Sequence, residues 1–125
     1  MILPARVDLA AYRNAHFTYY FTLTDPLTGA ALDMAGWTFL LQVRPQPGQT
    51  GAALLELSSA FGISLQGPGL LLINDTQAHI AALPAGPDPY APLRLYYDFT
   101  ALPPDAKRRV LMEGLFLVHN GVTRP

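Results

Sequence analysis

The chain has 125 residues, the length of one domain and enough to bury roughly 65–70% of its unfolded surface without covalent staples. It has no cysteine, which excludes disulfides, a thiolate nucleophile and any cysteine-based zinc site. Charged residues make up only 14% of it, against about 25% in an average soluble domain, and the net charge is −1, so no global field draws nucleic acid or an anionic membrane.

The start, Met1 to Asp8, has neither a basic opening nor an apolar run, so no signal peptide is expected, and the apolar runs are too short to span a membrane. The first clear strand is His16 to Thr24. Phe17, Tyr19, Phe21 and Leu23 share one face, and Thr18, Tyr20, Thr22 and Thr24 the other. Asp25-Pro26-Leu27-Thr28-Gly29 breaks it with turn chemistry. A second strand runs from Trp37 to Arg44, with Trp37, Phe39, Leu41 and Val43 inward, and stops at Pro45, which has no N–H for a ladder. Ala53 to Ser58 forms a weaker strand with Leu55 and Leu57 inward, and Ile63–Leu65 pairs with Leu70–Ile73 around Gln66-Gly67-Pro68-Gly69.

Asn74 to Leu83 reads as the one helix. Asn74 caps it, Gln77 stands three residues on as a capping-box partner, Asp75 favours the first-turn dipole, and Pro84-Ala85-Gly86 stops it. The helix bridges two strands at one end of the molecule. Leu93 to Thr100 alternates again, with Leu93, Leu95, Tyr97 and Phe99 on one face. Arg109 to Val118 is apolar on both faces: Val110, Met112, Phe116 and Val118 on one, and Leu111, Leu115 and Leu117 with Glu113 on the other. Such a strand is either central and covered, or part of an interface. The elements add up to an all-β fold over residues 1–125, a small antiparallel β-sandwich, immunoglobulin-like or jelly-roll-like, with one short helix near residues 74–83.

Residues that could carry chemistry are sparse. His16, His79 and His119 are scattered and match no metal-ligand spacing, and no serine stands in a Gly-x-Ser-x-Gly elbow. Asp25, Asp88 and Asp105 sit in proline-containing turns, where aspartate caps backbone N–H groups. Glu56, Asp98 and Glu113 fall on strands, where an ion pair with Arg44, Arg94 or Arg109 is expected and a converging pair would reopen a hydrolase reading. Lys107-Arg108-Arg109 reads as a solvated hairpin end. No enzyme activity, cofactor or metal is expected. The sparse charge predicts surface meant for neighbours, and the candidate interface residues are Tyr20, Tyr96, Leu111, Leu115 and Leu117. Tyr20 and Tyr96, on outward faces, would serve as the aromatic platform of a carbohydrate-binding module, the alternative on the same scaffold; Trp37 reads as core.

The order of motifs resembles small tail and baseplate proteins of tailed bacteriophages, including the N-terminal domain of upper baseplate proteins that anchor receptor-binding proteins. An opening strand precedes Tyr12-Arg13-Asn14-Ala15-His16-Phe17. Thr22-Leu23-Thr24-Asp25 leads to a glycine turn, and Leu32-Asp33-Met34-Ala35-Gly36-Trp37-Thr38-Phe39 steps into the strand ending at Gln42-Val43-Arg44. Asn74-Asp75-Thr76 with Leu83-Pro84-Ala85-Gly86, Tyr96-Tyr97-Asp98-Phe99, and Glu113-Gly114 with Val122-Thr123-Arg124 follow in order. The chain departs from the pattern at Pro87–Pro92, and it ends at Pro125 without the helical or fibre extension that such domains lead into. The resemblance implies a virion structural protein made in the bacterial host cytoplasm: a tail, baseplate or neck adaptor, or a head decoration protein. Its partners would be other virion proteins (tail, baseplate, fibre or neck) in a homo-oligomer or at multiple copies, with no nucleic acid or membrane partner. The tails, Met1 to Ala5 and Gly121 to Pro125, would add a strand to a partner or tuck into it.

Overall fold

A computed structural model describes residues 5–25, 27–105 and 107–123. Nine strands and one short helix follow one another: β1 (Ala5–Arg6), β2 (Leu9–Tyr12), β3 (Phe17–Thr22), β4 (Thr38–Arg44), β5 (Leu55–Ser58), β6 (Ile63–Gly67), β7 (Leu70–Asp75), α1 (Gln77–Ala81), β8 (Leu93–Leu102) and β9 (Arg109–His119). They form two sheets. The larger has the order β1-β9-β8-β4-β5, with β2 also on β9, and the smaller β3-β7-β6. This partition, with the third, seventh and sixth strands in one sheet and the ninth, eighth, fourth and fifth in the other, follows the strand order of an immunoglobulin-like sandwich with one strand added beside β4.

Alternation places the core. Phe17 and Phe21 of β3 reach across to Phe116 of β9 and Phe99 of β8, with ring centroids 5.5 and 5.1 Å apart, both edge to face. Phe39 of β4 stacks on Phe99 at 5.7 Å. Leu41, Val43, Leu57, Leu71 and Ile73 fill the space between the sheets. Trp37 sits just before β4 and is half-buried against this core, with the Arg109 guanidinium 6.0 Å from its ring centroid.

The main strand pairs of both sheets are antiparallel, as expected, and at one edge β1 and β2 run parallel to β9. The two segments keep one register, Arg6 opposite Glu113 and Leu9 opposite Phe116, so they are a single edge strand interrupted at Val7 and Asp8. There the Val7 N–H donates to the Glu113 carbonyl (2.9 Å), and the Leu115 N–H donates to Asp8 Oδ1 (3.0 Å). Gly114 makes room for this crossing, since a side chain there would collide with the Val7 carbonyl. The Tyr97 hydroxyl, from the strand on the far side, donates to that same carbonyl at 2.5 Å. Burial, then the neighbouring Tyr19, Asp8 and Glu113, push the Tyr97 phenol well above its ordinary range, which keeps it a donor.

The helix is shorter than its sequence signals. Asn74 and Asp75 belong to β7, with Asn74 opposite Thr18, so neither caps α1. Thr76 is the N-cap, and its own side chain makes no capping hydrogen bond. The segment ends against Arg13, whose guanidinium donates to the Leu83 carbonyl (2.5 Å), the Pro84 carbonyl and, through Nε, Asn120 Oδ1 (3.0 Å). α1 links the last strand of the small sheet to β8 of the large one, as the bridging role requires.

In β9 the pairs Phe99–Met112 and Thr100–Val110 leave Leu111 without an opposite residue. This bulge turns Leu111 into the core, where it is 1% exposed, although simple alternation puts it on the outer face with Leu115 and Leu117. Of the tails, Met1–Pro4, Arg124 and Pro125 lie outside the described residues. Ala5 is already paired with Met112, and the Thr123 carbonyl accepts from Asn14 Nδ2 at 2.9 Å, so these described parts are engaged within the chain.

Candidate functional site

The outer faces of the two sheets differ in chemistry. On the small sheet the outward strand residues are Thr18, Tyr20 and Thr22 of β3, Leu70, Leu72 and Asn74 of β7, and Ser64 and Gln66 of β6; none is charged. Tyr20 stands over this face 60% exposed, opposite Leu72, which is in turn opposite Ser64.

On the large sheet, register lines up one polar row across five strands: Glu56, Gln42, Asp98, Glu113 and Arg6. The adjacent row carries Arg44, Tyr96 and Leu115. The loop after β4, through Gln46 to Gln49, lines an open cleft of about 420 Å³ over the two rows, in which Tyr96, Asp98 and Glu113 are exposed. Arg44 holds that loop: its guanidinium donates to the Gly51 carbonyl (2.7 Å) and to Gln42 Oε1 (2.9 Å), and Gln42 Nε2 donates to Glu56 Oε1 (2.6 Å).

The expected ion pairs of the strand carboxylates are not made. Glu56 accepts from Gln42, and Asp98 and Glu113 face each other directly across β8 and β9. Neither of these two carboxylates has a hydrogen-bond or ion-pair partner among the described residues. Partial burial and then the Glu113 charge raise the Asp98 carboxyl above its ordinary range, opposed by the guanidinium groups of Arg44 and Arg108. Sequence reasoning named the three strand acids but had no register with which to bring two of them together; their meeting at one cleft is the arrangement that reopens the hydrolase reading.

The candidate interface residues do not form one surface. Tyr20 and Tyr96 stand on opposite outer faces with both sheets between them, so they cannot make a shared aromatic platform. Leu111 is in the core. Leu115 and Leu117 are half-buried on the outer face of the large sheet, Leu115 opposite Tyr96 and Leu117 between Arg94 and Ala10.

The remaining ionisable groups have local duties. Asp25, Asp88 and Asp105 each accept a backbone N–H two residues on, at 2.8, 2.9 and 3.0 Å. Arg109 pairs with Asp105 at 2.9 Å, and Arg108 donates to Thr100 Oγ1 at 2.9 Å, so the basic cluster is tied to its own hairpin. His119 stacks on Tyr12 with centroids 4.7 Å apart. Asp75 is buried at the end of β7 rather than exposed in a helical turn. Its Oδ1 meets His79 Nδ1 at 2.6 Å and accepts the Thr76 N–H at 2.8 Å. Among the described residues no group of three or more His, Cys, Asp or Glu is placed to hold a metal ion, and no helix is long and apolar enough to cross a membrane. No protein-family model matches the chain, and no curated protein matches it.

Proposed function

We propose that this chain is a non-enzymatic structural subunit of a tailed-bacteriophage particle, a tail, baseplate or neck adaptor that packs against other virion proteins. The observation that carries this reading is the uncharged outer face of the small sheet, with Tyr20 exposed on its edge strand β3. A solvated sheet face ordinarily carries charge, and a face without it gains by being covered. The order of motifs from Tyr12 to Thr123 supports the phage assignment, and a chain with 14% charged residues suits a subunit surrounded by neighbours.

The mechanism is burial: Tyr20 and Leu72 supply apolar area, and Thr18, Thr22 and Asn74 supply hydrogen bonds that fix register on the partner. Cross-linking mass spectrometry on purified particles tests it. Cross-links from this chain to tail, baseplate or neck proteins are expected, and links to the major head protein alone would move it to a decoration role. Complete absence from the particle overturns the proposal. In the isolated chain, Tyr20→Lys is expected to weaken self-association or partner binding by about tenfold or more, read by light scattering or pull-down, with an unchanged melting temperature.

A further inference from the structure

The cleft on the outer face of the large sheet is not explained by assembly through the small sheet. Its volume, about 420 Å³, falls in the range of small-molecule sites. Its floor holds two carboxylates, Asp98 and Glu113, on directly opposite positions of the two longest strands. Like charges so placed destabilise a sheet. The chain has only nine acidic residues, and nothing in the packing requires two of them to meet there without partners. Departures of this kind from the rules of sheet stability gather at binding sites.

The lining narrows the ligand. Arg6 and Arg44 stand beside the acid pair, so two guanidinium groups cancel two carboxylates and the cleft has no net charge to attract an ion. A phosphate would be repelled by Asp98 and Glu113, and a basic peptide by Arg6 and Arg44. The amides of Gln46 and Gln49 also line the cleft, so its walls offer both donors and acceptors, while the Gln42 amide is held by Arg44 and Glu56. Tyr96, 38% exposed, offers an aromatic surface at the side. A neutral molecule with many hydroxyl groups and one C–H-rich face matches this set. Its hydroxyls donate to the carboxylates and accept from the guanidinium and amide groups, and its C–H face lies against the electron-rich ring.

We infer that the cleft between Tyr96, the Asp98–Glu113 pair and the Gln46–Gln49 loop binds a neutral saccharide as a single pyranose subsite. The inference stands independently of the assembly reading, because the two use opposite faces. The test is titration of the isotopically labelled intact chain with the methyl glycosides of glucose, galactose, mannose, rhamnose and N-acetylglucosamine, up to about 50 mM each, followed by amide chemical shifts. Saturable shifts are expected at Gln42, Arg44, Tyr96, Asp98 and Glu113 with at least one of them. Tyr96→Ala and Asp98→Asn are expected to weaken that binding about tenfold or more with a dispersed spectrum retained, while Tyr20→Ala leaves it unchanged. No shifts with any of the five glycosides, or shifts unaffected by Tyr96→Ala and Asp98→Asn, would overturn it.

Discussion

The two outer faces of this sandwich are built from similar strands yet treat charge in opposite ways. The outward strand residues of the small sheet are a tyrosine on its edge strand, hydroxyls, amides and two leucines, with no charge. The large sheet concentrates charge in one row and sets two carboxylates against each other under a loop. A sheet face without charge suits a dry, extended contact, whereas a polar row beside a loop suits a small ligand that brings its own hydrogen bonds. The shared core fixes the distance between them, so a single fold presents two independent chemistries.

The comparison is broken most completely at the core. Phe99→Ala removes the ring that contacts both Phe21 of the small sheet and Phe39 of the large, and is expected to cost about 3–5 kcal/mol, measured by denaturant unfolding. Both faces fail together. Gly114→Ala separates them: its methyl group drives the Val7–Asp8 crossing outward, at about 1–3 kcal/mol, and displaces Arg6 from the cleft. Amide shifts are expected at Ala5–Leu9 and Glu113–Leu115, while Phe17–Thr22 keep their positions.

Asp98→Asn has the smallest effect on stability and the sharpest sign. The folded chain holds the Asp98 proton more tightly than the unfolded chain, so stability from this group is fully present below the unfolded value and declines as pH rises through the raised folded value. Removing the charge is therefore expected to raise the melting temperature at neutral pH and to leave it nearly unchanged in acid, where both side chains are neutral. A variant that becomes more stable while losing saccharide binding would tie the acid pair to the ligand.

Much of the strand layout was legible because alternation is strong where side chains are large. Phe17 to Leu23 and Trp37 to Val43 fall on the faces expected, and Leu55 and Leu57 point inward. The edge strand was not assigned by periodicity, since Leu9-Ala10-Ala11-Tyr12 puts alanine on both faces and a parallel partner lies more than a hundred residues away. The helix signal at Asn74 failed because Thr18 claims that residue for the sheet, and ladder pairing outweighs a local cap. Leu111 was misplaced because a bulge leaves no mark in an unbroken apolar run. For the cleft, the acids, arginines and tyrosine were each visible as residues. Their convergence depends on register across five strands, which no local pattern encodes.

The pairing of β1 and β2 with β9 also constrains how the molecule is made. Among the described residues, β1 and β2 pair only with Arg109–His119, more than a hundred positions further along the chain. These segments have no ladder partner until β9 is in place, so this edge of the large sheet closes by a long-range contact. Such long-range closure slows folding and leaves an unpaired strand edge open to wrong partners until the last strand docks.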